Sequence, residues 1–357
     1  MIPFCCLTQK NVLTKNLYLP MIRKLYLLLF SLVLCFSDAA QAQDAVFSQF
    51  YAAPLHLNPA MIGFGIKPRI VLNYRNQYPS FGNAFITTNL SYDRHVPKIN
   101  SSVGMSLLAD RTGGGIYNTY LLTAYYAYQL HLNENLALKA GAEVSYLNKN
   151  LDWGKVILSD MINPLTGQAI IPTTEDIPPS ENIHRADFGF GVVAYSDKSY
   201  IGASVKHVTQ PNLDFTSVAD DDNRLKMRAS LHLGHTFYVG KEKFQKSRMY
   251  LSPNLLLVNQ GRFNQATLGL FAGKSILYGG VQYRHTFRNS SAFITTLGVR
   301  VGIFQFGYSY DFNLARLQTN AGAHELSLII DFGNTEAAKN EMKRQQGAEC
   351  PAIFRPQ

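Results

Sequence analysis

The stretch NLALKAGAEVSYL, Asn135 to Leu147, alternates. Leu136, Leu138, Ala140, Ala142, Val144 and Tyr146 fall on one side of an extended chain, and Lys139, Gly141, Glu143 and Ser145 on the other. A strand sends successive side chains to opposite faces, whereas a helix repeats every 3.6 residues. The stretch is therefore a strand with one apolar and one polar face. The same pattern returns in Ala186–Ala194, where Ala186, Phe188, Phe190 and Val192 oppose Asp187, Gly189 and Gly191. In Leu225–Leu233, Leu225, Met227, Ala229, Leu231 and Leu233 oppose Lys226, Arg228, Ser230 and His232. In Ala323–Phe332, His324, Leu326, Leu328, Ile330 and Phe332 oppose Glu325, Ser327 and Asp331.

Between Pro68 and Phe332 the alternation predicts fourteen strands, centred near residues 72, 87, 105, 123, 141, 191, 204, 231, 254, 268, 280, 296, 306 and 328. Most run about ten residues, enough to cross a bilayer at a tilt of about 45°. Turn signals such as Asn133-Glu134-Asn135, Ser196-Asp197-Lys198 and Arg288-Asn289-Ser290 separate them. Two connections are long, Asn148–Arg185 with Pro164, Pro172, Pro178 and Pro179, and Gln210–Arg224 with Asp220-Asp221-Asp222. Short turns on one side and long loops on the other is the layout of a transmembrane antiparallel β-barrel. Tyr125-Tyr126, Tyr128, Tyr308 and Tyr310 near strand ends suit the aromatic girdles at its two interfaces.

Composition agrees. Charged residues are 16% of the 357, against about 25% in an average soluble domain. Hydrophobic residues are 46%, aromatics 12%, and the mean hydropathy is −0.06. A chain this apolar offsets its ordering entropy, so disorder is excluded. A bundle of membrane helices needs several apolar runs of about 20 residues, and only Leu25–Phe36 comes near. Tandem soluble sandwiches would also alternate, but their wet outer faces need more charge. No linker divides residues 68 to 332 evenly, and one closed sheet removes the edges of an open one.

Leu25–Phe36 follows Arg23-Lys24 and precedes Ala40-Gln41-Ala42. A basic start, a short apolar core and an A-x-A site make a secretory signal peptide over residues 21–42, within a leader of 1–42. Met21 is its natural start, since Met1–Pro20 fits no part of it. Cleavage after Ala42 removes Cys5, Cys6 and Cys35, so the mature chain keeps Cys350 alone and forms no internal disulfide. The excess charge of +9 falls as Lys10, Lys15, Arg23 and Lys24 leave with Asp38. What remains is too mild to imply nucleic acid.

Residues 43–67 are apolar without alternating. Asn58-Pro59 is a turn signal. Irregular apolar backbone in a membrane protein must be buried in protein or line a cavity, so this segment is expected to plug the barrel. Residues 333–357 form a short periplasmic tail. No HExxH, GxSxG, CxxC or P-loop pattern occurs, and neither enzyme chemistry, a cofactor nor a metal is expected. Gly189-Phe190-Gly191-Val192-Val193-Ala194 fits G-x-G-x-x-A only formally, because it lies inside a strand and not at a strand-to-helix turn. Asp220-Asp221-Asp222 lacks the ligand spacing of an EF-hand loop. His232 and His235 fall on opposite strand faces and cannot share a metal.

Two motifs carry a family resemblance. Gln43, Asp44, Phe47, Ser48, Gln49 and Phe50, then Pro54, Leu55, Asn58, Pro59, Ala60 and Gly63, resemble the Q-D-x-x-F-S-Q-Y and P-L-x-x-N-P-A-x-x-G openings of the PorP/SprF family of Bacteroidetes outer-membrane proteins. Phe50 stands where Tyr is common. Tyr310-Asp311-Phe312 and Gly322-Ala323-His324-Glu325-Leu326-Ser327-Leu328 resemble the family's closing hairpin. Cys350-Pro351-Ala352-Ile353-Phe354 is similar to its C-P-x-F tail with one extra residue. The resemblance implies an outer-membrane component of type IX secretion and gliding machinery, without bond chemistry. The implied partners are periplasmic ring and peptidoglycan-linked proteins, and for some members a giant cell-surface adhesin, besides outer-membrane lipid. The residues it marks for partner contact are Phe47, Ser48, Gln49, Phe50, Pro54, Asn58, Pro59, Ala60, Gly63, Tyr310, Asp311, His324, Glu325, Ser327, Cys350 and Pro351. The alternative is a hydrophobic-solute transporter, whose barrels also carry an N-terminal hatch with N-P-A.

Overall fold

The computed structural model describes residues 44–64, 68–82, 84–133, 135–169, 172–174, 182–215, 224–239, 249–287, 291–314 and 322–332. The leader, the tail with Cys350 and Pro351, and the Asp220-Asp221-Asp222 loop lie outside them.

The sheet has fifteen segments: β1 (Arg69–Gln77), β2 (Phe85–Val96), β3 (Ser101–Thr112), β4 (Tyr117–Asn133), β5 (Leu136–Leu151), β6 (Asn182–Tyr195), β7 (Ser199–Lys206), β8 (Arg228–His235), β9 (Phe237–Val239), β10 (Met249–Gln260), β11 (Phe263–Lys274), β12 (Leu277–Thr286), β13 (Ala292–Val301), β14 (Phe304–Asn313) and β15 (Ala323–Asp331). Each pairs antiparallel with its neighbour. β8 and β9 both pair with β10, with Asn254 opposite Gly234 and Leu251 opposite Phe237, so they are two halves of one crossing. β1 pairs with both β2 and β15, from Arg69 opposite Asp331 to Gln77 opposite Ala323, and this closes the barrel. The result is a closed fourteen-crossing barrel, with every expected centre inside a strand.

Alternation sets which face turns inward. In β5, Lys139, Glu143 and Ser145 are buried while Val144 and Tyr146 are exposed. In β6, Asp187 is buried while Phe188, Phe190 and Val192 are exposed. The apolar faces thus form the outer wall, as lipid requires, and polar residues line the lumen. Two expectations need correction. Leu225 does not continue the apolar face of β8: it is buried, because its N–H donates to Pro211 O and folds the segment over before β8 begins at Arg228. Tyr125 does not join an aromatic girdle, because it points inward and its hydroxyl meets Ser106 Oγ at 3.0 Å. Tyr126, Tyr128 and Tyr308 are exposed on the outer wall.

The two rims differ. The chain enters at Arg69 and leaves at Asp331 on one rim, where short turns such as Pro97–Ile99, 196–198, 275–276 and 302–303 also lie. The other rim carries the long connections 152–181 and 207–227, besides the two-residue turn at 261–262. The first is shorter than the sequence suggests, because β5 runs on to Leu151 and β6 starts at Asn182, whereas the second is longer, because β7 ends at Lys206 and β8 starts only at Arg228.

Candidate functional site

Residues 44–64 lie inside the lumen. They form three short turns, Phe50–Ala52, Pro54–Leu57 and Pro59–Met61, joined by irregular backbone. Such backbone has no ladder to satisfy it, and an unpaired buried group costs about 1–3 kcal/mol. The inward side chains of the wall supply the missing partners.

The densest contacts surround Ser48 and Gln49. Their two N–H groups donate to the two carboxylate oxygens of Glu325, at 2.7 and 2.9 Å. Ser48 Oγ donates to Asp311 at 2.7 Å and accepts from Arg75 at 2.8 Å and Arg284 at 2.6 Å. Arg75 pairs with both acids, Asp311 at 2.9 Å and Glu325 at 3.1 Å, and Arg284 pairs with Asp311 at 3.0 Å. Gln49 Oε1 accepts from Ser327 at 2.6 Å, and Gln49 Nε2 donates to Glu325 O and Ser309 Oγ. Gln282 donates to Ser48 O at 3.1 Å. Buried charges are tolerable only when paired and hydrogen-bonded, and here each acid has both a guanidinium and plug donors.

Asn58 caps the turn that begins at Pro59, its Oδ1 accepting from Ala60 N–H at 2.8 Å. Its Nδ2 reaches Val192 O and Ala203 O, both at 3.1 Å, and His232 Nε2 at 3.0 Å. Glycines in the wall make room for this turn: a Cβ on Gly141 would stand 2.6 Å from Ala60 N, and one on Gly191 would strike Asn58. That is the physical reason for Gly191 in the formal G-x-G-x-x-A, while a Cβ on Gly189 would meet the Glu143 side chain instead. Lower down, Lys139 donates to Ile62 O and to Ser102 Oγ. Asp93, paired with Arg69 at 3.0 Å, accepts from Gly63 N–H at 2.6 Å. Gly63 has φ of 63°, a left-handed turn that favours glycine.

At the opposite end Asp44 meets His207 Nε2 at 2.7 Å and Arg228 at 3.3 Å, while His207 Nδ1 meets Asp187. His207 stands just beyond β7. Burial lowers its basicity, but Asp44 and Asp187 outweigh that and raise its pKa to about 9. His207, Arg228 and Gln260, which accepts from Asp44 N–H, belong to the long-loop rim. Asp93 and Ser102 belong to the short-turn rim. The segment therefore runs the length of the lumen, from Asp44 at the long-loop end to Gly63 at the short-turn end.

Of the residues marked by the sequence, Phe47, Ser48, Gln49, Phe50, Pro54, Asn58, Pro59 and Ala60 are buried in the lumen, and Gly63 closes the segment. Phe47 packs edge-on to His56 at 5.2 Å and Phe50 to Phe271 at 6.2 Å. The two end motifs meet: Phe47-Ser48-Gln49 binds Asp311, Glu325 and Ser327. Strand alternation splits the second motif, however. Tyr310 and His324 face outward and lie 4.9 Å apart, with Tyr308 OH 2.9 Å from His324. Sequence reasoning missed Arg75, Arg284, Asp93, Lys139, His207 and Lys206, whose Nζ donates to Leu55 O at 3.4 Å, as partners of the segment. For all but His207, which lies beyond β7, the signal was a charge on the polar face of a strand. Among the described residues no group of His, Cys, Asp and Glu could hold a metal.

Comparison with known proteins adds the family. The pattern of the type IX secretion system membrane proteins PorP/SprF matches residues 39–330. No curated protein matches the chain. Among solved structures, the Pseudomonas putida toluene transporter TodX is similar with a TM-score of 0.44 and 9% identity, over 82% of this chain and 98% of that one. The CymD monoaromatic hydrocarbon channel gives 0.42 and 12%, over 82% and 95%. A Pseudomonas aeruginosa FadL homologue gives 0.41 and 14%, over 77% and 93%. Likenesses this remote say nothing of activity.

Proposed function

Because the chain belongs to the PorP/SprF family of type IX secretion system membrane proteins, we propose that it anchors that machinery, or a surface protein the machinery secretes, at the outer membrane. It works through protein–protein contacts and without bond chemistry. The partners are periplasmic ring or peptidoglycan-linked components on one side and a cell-surface adhesin on the other. The observation that supports contact over conduction is the way Glu325, Asp311, Arg75 and Arg284 bind Ser48 and Gln49 in the lumen. Moving the segment aside for a solute would break several charge-assisted hydrogen bonds, each worth about 1.5–3 kcal/mol.

Deleting the gene and restoring it tests the reading. Loss of a type IX substrate from the cell surface, regained with the wild-type gene, supports it. Unimpaired secretion together with swelling of liposomes that contain the purified protein would instead establish a solute transporter.

A further inference from the structure

We infer that Ser48 and Gln49 are the clasp of the barrel's closing seam, the contact that holds its first strand to its last. This goes beyond the anchoring role and does not depend on it. β1 and β15 are the two ends of the sheet. Where they meet, Arg75 stands opposite Glu325 and Asn73 opposite Ser327, all four facing inward. Ser48 and Gln49 touch every strand at that junction: Arg75 of β1, Glu325 and Ser327 of β15, and Asp311 and Ser309 of β14.

The chemistry makes these contacts cooperative. Glu325 and Asp311 share the Arg75 guanidinium, and Arg284 of β12 also pairs with Asp311; buried carboxylates have lone pairs beyond those two cations that need further donors. The N–H groups of Ser48 and Gln49 and the Ser48 hydroxyl supply them. Without the clasp, buried carboxylates lose hydrogen bonds at the place where the wall is joined only by a ladder between chain ends.

The outer face of the seam does not compensate. An apolar groove of about 570 Å³ straddles it, lined among others by Leu72, Tyr74, Phe306, Tyr308, Leu326 and Leu328. Outward side chains that leave a groove forgo dispersion contacts that interlocked ones would make. Ser327 and Gly307 both line this groove and approach Gln49 from the other side. Asn58 makes an instructive contrast. Its partners lie on β6, β7 and β8, which are joined in sequence and include no chain end.

A seam disulfide separates a clasp from a general packing role. Leu72 and Leu328 are cross-strand partners on the outer wall, and directly opposed residues have a spacing that suits a disulfide. The full chain with its four native cysteines replaced (C5S/C6S/C35S/C350S) carries L72C/L328C, and the readout is the temperature at which migration in SDS shifts from folded to unfolded. With the disulfide reduced, S48A/Q49A and N58A both shift at lower temperature than wild type. Oxidation is expected to return S48A/Q49A to the oxidised wild-type temperature and to leave N58A below it. An equal gain in both variants, or S48A/Q49A shifting with wild type when reduced, overturns the proposal. If S48A/Q49A fails to fold when reduced, recovery on folding under oxidising conditions supports the clasp, and failure there as well overturns it.

Discussion

Glu325 shows how much one side chain does. It is fully buried, binds two plug N–H groups and pairs with Arg75. Breaking one partner of a buried pair costs about 3–5 kcal/mol. Glu325→Gln is therefore expected to loosen residues 44–64, read as faster proteolysis within that segment of the folded barrel. Gly141→Ala should act through shape alone. The added Cβ meets the backbone of Pro59 and Ala60 at 2.6 Å, and overpacking costs about 1–3 kcal/mol. The same proteolysis should show it, with no change of charge. His207 gives a pH signature. Its pKa is raised from 6.5 to about 9 by Asp44 and Asp187 against burial. Its contribution is complete below about 6.5 and lost as pH rises through 9. The unfolding temperature should fall between pH 8 and 10, and that alkaline fall should shrink in His207→Gln.

At the scale of the elements, the strands were legible because lipid outside and polar contacts inside impose period two on every crossing. Leu231 is exposed on the outer face of β8. Leu231→Arg should cost about 2–4 kcal/mol near the midplane, measured by denaturant unfolding in detergent or lipid. The interruption at Thr236, where Thr236 N–H turns to Lys198 O and splits β8 from β9, left no trace in the alternation. The partners of the N-terminal segment were also hidden. That Ser48 meets Asp311 and Glu325 depends on the closure of β1 on β15, more than 250 residues apart in sequence. Periodicity marks Lys139 and Asp187 as inward, but it cannot say which backbone group each will satisfy. Tyr310 and His324 shared a motif with Asp311 and Glu325, and only the pleat sends them to opposite faces.

For the whole molecule, the apolar wall, the polar lumen and the stapled N-terminal segment form one device. The wall meets lipid, and inward charges such as Arg75, Arg284, Glu325, Asp311 and Lys139 are used on residues 44–64. A barrel filled in this way has its two rims left for partners, with the long connections 152–181 and 207–227 on one and the chain ends on the other. The most direct test of the anchoring role is purification of the tagged full-length protein from gently solubilised outer membranes, followed by identification of what comes with it. Type IX secretion components or a secreted surface protein should copurify at a fixed ratio. Recovery of the barrel alone, with those components intact in the same extract, would contradict the account.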